Sequence, residues 1–371
     1  MMQIQPDWLT APWLKAVFAA LGPDHVRVVG GAVRDALRGQ AVGDVDMATT
    51  LTPDGVTARA VAAGLKVVPT GIDHGTVTVV SAGRGVEVTT LRADVATDGR
   101  HATVAFTTDW SIDAHRRDFH LNAVYMDAAG QVFDPTGLGV AHARDGRVVF
   151  IGDAHARIAE DYLRILRFFR FSARFAAVID PAGLAAVHAM KDGLLTLSAE
   201  RVWHELNGLL AVPDAAPTVA VMRRAGVWGI IAPEAARDLP ADIPADPVLR
   251  LAVMIATENG AELCAKRLKL SRRDATRLVA ACGPLRTGDE AALKAHIYRL
   301  GAQTVIDRSW VHQPDGATHI RALAQTWPVP KFPLTGRDAA AAGIPAGPEM
   351  GAWLQAREEA WIAAGFPERE A

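Results

Sequence analysis

Two aspartates separated by one residue, Asp44 and Asp46 in "GDVDMA", carry the clearest chemical signal in this chain. On a strand their side chains would point the same way, because successive side chains alternate between faces. Carboxylates so placed repel each other, and a cation between them removes the repulsion. Mg²⁺ suits such a pair, since it takes oxygen ligands and is commonly held by one or two carboxylates together with substrate phosphates. In a two-metal arrangement one ion activates an attacking hydroxyl and the other steadies the leaving oxygen. Asp44 and Asp46 are therefore the candidate metal ligands and catalytic residues.

About fourteen residues before the pair stands "VVGGAVRDALRG". The apolar run predicts a strand, Gly30-Gly31 a tight turn, and the following residues a helix start. Backbone N–H groups at a helix N-terminus suit a phosphate, and Arg34, one turn in, could reach the same anion. The segment is neither the GxGxxG fingerprint nor a P-loop. Alone it also fits a tight turn with a surface arginine. Joined to the D-x-D, it has the layout needed for transfer from a nucleoside triphosphate. Glu87, in "VEVTT", is the candidate third carboxylate on a strand that could neighbour the pair; it could equally be a solvated residue on the outer sheet face.

In "RRDFHLNAVYMD" (116–127), Asp118 and Asn122 share a face if the segment is helical. Together they could hydrogen-bond a ribose 2′- and 3′-hydroxyl, and Arg117 could pair with a phosphate bidentately. An N-capping aspartate beside surface arginines would give the same pattern.

The elements that must position these residues are legible in outline. Thr10 looks like the N-cap of a helix carrying Trp13, Val17, Phe18 and Leu21, ended by Gly22. Strands are expected at 26–29, 44–48, 65–68, 76–80 and 86–91, with a further hairpin around Ala129-Gly130. From about Ile151 the texture becomes helical: "DAHARIAEDYLRILRFFRFSARF" is periodic throughout, and "LSAERVWHELNGLL" is a second helix capped by Ser198. No sheet is expected after about residue 150. The fold class is an α/β head, a mixed sheet with flanking helices, followed by an all-helical neck, body and tail. The expected boundaries are 1–147, 148–212 and 213–371.

Composition narrows the classes. The 371 residues allow several domains, and the formal charge of −2 leaves no overall basic footprint. Only seven of the basic residues are lysine. The two cysteines, Cys264 and Cys282, form no CxxC or Cys/His cluster, so zinc is not expected. With no secretory signal and no disulfide framework, a reducing cytoplasm is the expected compartment. No apolar run reaches the roughly 18 residues of a membrane helix, so no membrane partner is expected. Nothing specifies an oligomeric state.

Taken together, these segments resemble the class II tRNA nucleotidyltransferase and bacterial poly(A) polymerase family, within the polymerase-β-like nucleotidyltransferases. "GGAVRDALRG…GDVDMAT" resembles its catalytic motif, and "RRDFHLNAV" its ribose motif, usually written RRDFTxNA. "GDAHARIAEDYLRILRFFRFSARF" is similar to its hinge and EDxxR base-reading helix. Order and spacing agree over roughly residues 25–210. His120 stands where the ribose motif usually has threonine. No HD-type metal motif occurs in the helical half, so the phosphohydrolase domain of some relatives is not indicated.

The resemblance implies template-independent nucleotidyl transfer with Mg²⁺, CTP and ATP, most directly addition or repair of the 3′-terminal CCA of tRNA. Asp161, Arg164 and Arg167 would read the base, because a carboxylate and an arginine match the donor–acceptor edge shared by cytosine and adenine. Leaving those groups unpaired rejects uracil and guanine. Arg167, Arg170 and Arg174 form a second stripe for triphosphate or RNA backbone, or an intrahelical salt-bridge face; the phenylalanines between them belong to the core. The alternatives are a poly(A) polymerase, a CC- or A-adding member of a split pair, and a non-catalytic RNA-binding protein. A tail ending "GFPERE" is not basic, which favours the CCA reading over poly(A) synthesis.

Overall fold

The computed structural model describes residues 2–72, 75–97, 102–313 and 316–368. By its contacts the chain forms two compact units, Met1–Ile231 and Ala232–Ala371.

The first unit is built on an eight-stranded sheet. Its strands are β1 (Met2–Gln3), β2 (Val26–Val29), β3 (Asp46–Thr49), β4 (Lys66–Gly71), β5 (Thr76–Ser81), β6 (Arg84–Thr90), β9 (Tyr125–Met126) and β10 (Gln131–Phe133). The spatial order is β1-β10-β9-β2-β3-β6-β5-β4. Every pairing is antiparallel except β3 with β6, which is parallel and makes the sheet mixed. The period-2 pattern buries Val26, Val28, Met47, Val77, Val79, Val86 and Val88 on one face. Helices α1 (Pro12–Leu21) and α3 (Pro53–Ala62) cover that face with Leu14, Val17, Phe18, Val56 and Ala60. Between them in sequence lies α2 (Gly31–Leu37).

Thr10 is not the N-cap of α1. It closes a 3₁₀ turn over Asp7–Thr10, donating its hydroxyl to the Asp7 carbonyl at 2.9 Å. The helix starts after Ala11 at Pro12, whose ring presets the helical φ and whose missing N–H would have had no partner there. Gly22, at φ 90°, ends it as expected.

Between Arg92 and Arg116, where no element was expected, there is regular structure. β7 (Arg92–Thr97) and β8 (Ala102–Phe106) pair as a separate antiparallel ribbon, followed by α4 (Trp110–His115). "RADVAT" and "ATVAF" are rich in alanine, a poor strand former, so their propensity did not reveal the ribbon. Residues 98–101 lie outside the described residues.

Among the described residues, the last strand is β10, and the sequence beyond it is mainly helical. After α5 (Gly139–Asp145) come α6 (Ala154–Glu160), α7 (Leu163–Phe175), α8 (Pro181–Met190), α9 (Ala199–Leu210), α10 (Ala216–Arg224) and α11 (Val227–Ile231). Helical periodicity does not run unbroken from 153 to 175: Asp161 is extended, at φ −156° and ψ 106°, and separates α6 from α7. Phe168, Phe169, Phe171 and Phe175 are core residues, with Phe168 stacked on Phe150 at 5.4 Å. The second unit comprises α12 (Pro247–Ile255), α13 (Glu258–Arg267), α14 (Arg272–Cys282), α15 (Glu290–Leu300), α16 (Ala302–His312), α17 (Thr318–Thr326), α18 (Gly336–Ala341) and α19 (Pro348–Ala363).

Candidate active site

The sheet register brings the carboxylates together. Met47 lies opposite Val88 across the parallel β3–β6 pair, so Asp46 and Glu87, one residue earlier on each strand, stand level on adjacent strands. Met47 and Val88 point into the core, so their neighbours point out of it. The strand begins at Asp46, and Asp44 precedes it rather than sharing it. Even so, Asp44, Asp46 and Glu87 line one cleft of about 830 Å³. Glu87 is thus exposed toward the other carboxylates rather than toward an unrelated surface.

Partial burial, followed by the charges of Glu87 and Asp44, pushes the Asp46 carboxyl above its ordinary value; Arg117 opposes the shift. A cation at this point would relieve the repulsion. Among the described residues no group of three or more His, Cys, Asp and Glu forms a complete metal cage. Mg²⁺ does not require one, because substrate phosphates and water complete its shell. The paired aspartates fit that ion by donor chemistry and by their electrostatic need for it.

Gly30 sits at φ 70° and ψ −118°, a conformation glycine reaches without steric penalty, and it turns β2 into α2. Its own N–H is already used, donating to the Val124 carbonyl at 3.1 Å, so Gly30 shapes the turn and offers no N–H to a phosphate. The amides of Gly31, Ala32 and Val33 open the helix, where no carbonyl one turn earlier is available to them; Arg34 is the first to bond back, to the Gly30 carbonyl at 2.9 Å. Arg34 is 4% exposed and is held at two of its nitrogens. Its Nε donates to Asp35 at 2.8 Å and its Nη1 to the Asn122 Oδ1 at 2.7 Å, while its guanidinium lies 4.3 Å over the Phe175 ring.

The 116–127 segment is not an α-helix; only His120–Asn122 form a 3₁₀ turn. Asp118 and Asn122 meet nevertheless, with the Asn122 amide donating to Asp118 Oδ1 at 3.3 Å. Arg167 reaches Asp118 Oδ2 at 2.7 Å. Burial alone would raise the Asp118 carboxyl, but the Arg167 charge and hydrogen bond overcome it and hold the group below its ordinary value. Arg34, Asn122, Asp118 and Arg167 therefore form one continuous chain of hydrogen bonds along the cleft. Arg117 is held by Asp113 at 2.9 Å and by the Tyr125 hydroxyl at 3.2 Å. Asp113 is 1% exposed and also binds Arg116 at 2.6 Å.

His120 lies behind this chain. It is buried edge-on to His142, with ring centroids 5.2 Å apart.

The EDxxR residues are arranged differently from the helical neighbours expected. Asp161 Oδ1 caps α7 by accepting from the Leu163 N–H at 3.0 Å, and its Oδ2 pairs with Arg201 at 2.7 Å. Arg164 pairs with Glu160 at 2.5 Å and donates to the Arg116 carbonyl at 3.0 Å. Both still line the cleft, together with Arg167, Arg170 and Arg174. Arg170 binds the buried Glu205 at 2.5 Å, and Arg174 reaches Asp35 at 3.2 Å.

Sequence reasoning missed Arg201, His204, Glu205 and Asp113. A signal existed for Glu205, since it falls on the apolar stripe of α9 with Val202, Leu206 and Leu209, where a carboxylate requires a partner. Arg201 and His204 are three apart on the same helix and both reach the cleft. Asp113 offered no such cue, because α4 is too short to show a clear face.

Comparisons with known proteins identify the family. Residues 26–149 match the family model described as the poly A polymerase head domain, and residues 178–239 the one described as a probable RNA- and SrmB-binding site of polymerase A. Human mitochondrial CCA tRNA nucleotidyltransferase 1 is 32% identical over 370 residues, spanning 92% of this chain and 84% of that protein. This chain belongs to the CCA tRNA nucleotidyltransferase family. Within the family, the CCA-adding enzyme of Geobacillus thermodenitrificans is 39% identical over 204 residues, covering 54% of this chain and 48% of that enzyme. The crystal structure of the Bacillus stearothermophilus CCA-adding enzyme in complex with CTP superposes with a TM-score of 0.79 at 26% identity, covering 96% of this chain and 94% of that one. The Thermotoga maritima CCA-adding enzyme complexed with tRNA shares the fold, at a TM-score of 0.68 and 18% identity over 100% of this chain and 94% of that one.

Proposed function

We propose that this protein is a template-independent RNA nucleotidyltransferase that builds or repairs the CCA end of tRNA from CTP and ATP. The observation that carries the reading is a single cleft in which three carboxylates, Asp44, Asp46 and Glu87, share the wall with Arg117, Asp118, Asn122, Asp161 and Arg164. The near-full-length similarity to CCA tRNA nucleotidyltransferases supports the same reading.

In this reading the RNA 3′-hydroxyl attacks the α-phosphorus of the bound nucleotide. A new P–O bond forms, the bond to the bridging oxygen breaks, and pyrophosphate leaves. Asp44 and Asp46 would hold Mg²⁺, which lowers the charge barrier at the transferring phosphate when bound. Glu87 keeps the third carboxylate level with Asp46. Gly31 and the amides after it face the triphosphate, and Arg117 adds a fixed positive charge. Asp118 and Asn122 orient the ribose, with Arg34 and Arg167 holding them in place. Asp161 and Arg164 present an acceptor and a donor to the base edge, and Arg170, held by Glu205, lines the same cleft. The head, neck and body divisions at 147 and 212 then correspond to chemistry, base reading and tRNA grip.

Among the described residues no helix is long and apolar enough to cross a membrane. We place the enzyme in a reducing cytoplasm because Cys264 and Cys282 are buried free thiols, pushed up to about 12 and about 11, mainly by burial. Imaging of the tagged protein tests that compartment. The catalytic assignment is tested by Asp44→Ala and Asp46→Ala. Each should abolish nucleotide addition while tRNA binding persists, and addition by either variant at the wild-type rate would refute it.

A further inference from the structure

The helical second unit contains a cavity that the reaction does not use. It occupies about 810 Å³ beside α15 and α16 and the segment that joins α14 to α15. Among the described residues its charged lining is basic: Arg286, Arg299 and Arg308, beside His296 and the Thr287 hydroxyl. No Asp or Glu among the described residues belongs to that lining.

His296 is the informative group. It is only 6% exposed, and its Nε2 is buried without a hydrogen-bond partner. A buried polar atom left unsatisfied is destabilising, so a fold retains one most readily where something else binds it. Arg308 is equally constrained: it is 8% exposed, with Nε donating to the Ala280 carbonyl at 2.8 Å and Nη1 to the Pro284 carbonyl at 2.7 Å. Both of its fixed bonds go to neutral acceptors. Glu258 acts on Arg308 electrostatically from outside the lining, and Arg299 pairs with Glu359 on α19. Arg286 is exposed at the rim.

We propose that this cavity is a phosphate-binding site, taking either a backbone phosphodiester of RNA or a free phosphate ion. Guanidinium groups match the fork of phosphate oxygens, and an imidazole nitrogen can supply a further directed bond. The RNA source rests on the proposed function; the anion chemistry stands without it.

The test uses the full chain. The ring signal of His296 in a nuclear magnetic resonance spectrum, identified by its loss in His296→Gln, is followed as inorganic phosphate is added. Retardation of a tRNA lacking its CCA is measured in parallel. Arg286→Ala is the principal variant because Arg286 is exposed and lies outside the catalytic cleft; an unchanged melting temperature shows that it folds.

Phosphate or tRNA should shift the His296 signal, and Arg286→Ala should require at least about threefold more of that ligand. If RNA is the source, Arg286→Ala also weakens tRNA binding several-fold and lowers the salt slope by about one. If a free ion is the source, phosphate binding weakens while tRNA binding does not change. A His296 signal moved by neither ligand, or moved equally in Arg286→Ala, overturns the site. Failure of the wild type to extend tRNA would instead defeat the proposed function, and the phosphate titration would still decide the cavity.

Discussion

Arg167 holds Asp118 through two guanidinium nitrogens, Nε and Nη2, each 2.7 Å from the same carboxylate oxygen. The two residues are 49 positions apart in sequence, and their pair ties the ribose motif to the first long helix after the sheet. Asp118 is nearly buried, so removing Arg167 leaves its charge without its main partner. Arg167→Ala should lower kcat/KM for CTP and ATP alike by about 10- to 100-fold, the loss of one or two charge-assisted hydrogen bonds. Steady-state kinetics with both nucleotides checks it; a loss confined to one nucleotide would make Arg167 a base reader instead of a support for Asp118.

Asp161 and Arg164 are not bonded to each other; each is engaged by another side chain, Arg201 and Glu160 respectively. Under the proposed function, a base edge must share or displace these partners when a nucleotide enters. Asp161→Ala should reduce the preference for CTP over UTP at least about tenfold, because uracil's carbonyl no longer meets a carboxylate. Arg201→Ala frees Asp161 and should preserve the preference. Single-nucleotide incorporation with each triphosphate separates the two variants.

How far the sequence revealed this site depends on the range of each interaction. Asp44, Asp46, Asp118 and Asn122 could be picked out by their spacing of a few residues, although Asp44 precedes the strand and 116–127 is not an α-helix. The mixed sheet was legible because its valines alternate. Partners that meet only through tertiary packing were hidden: Asp35 with Arg174, Glu205 with Arg170, and Asp113 with Arg117. The break at Asp161 was hidden for a different reason. Apolar residues keep helical spacing on both sides of it, and Asp161, the residue after α6, accepts from the first N–H of α7.

His120 and His142 give the head a pH dependence. Burial holds both rings below the ordinary histidine value, reinforced by His142 at His120 and by Arg147 at His142. The Nδ1 of each is buried without a partner. The folded state therefore binds fewer protons than the unfolded chain. Their contribution is intact above the unfolded value near 6.5 and is lost as pH falls below it, by on the order of 1 kcal/mol per group per pH unit. Urea midpoints at pH 7.5 and 5.5 should fall less in His120→Thr than in the wild type. An equal fall in both would show that His120 is already protonated in the folded protein.

In the second unit, Arg277 bridges Asp246 at 2.7 Å and the buried Asp307 at 2.9 Å. Gln303 is the other side chain on Asp307, at 2.8 Å. Arg277→Ala should destabilise this unit by about 3 kcal/mol, since it strands a buried carboxylate. Hydrogen exchange in α14 and α16 would report the loss locally, with the first unit's sheet unaffected.

The central claim is tested most directly by extending one transcript, a tRNA ending just before its CCA, with purified protein and Mg²⁺. The account predicts two C additions with CTP alone and a single further A once ATP is present. A long A ladder with ATP alone would contradict it and make the protein a poly(A) polymerase. A stop after CC, or addition of A only to a CC end, would make it one member of a split pair. Binding without any extension would make it a non-catalytic RNA-binding protein.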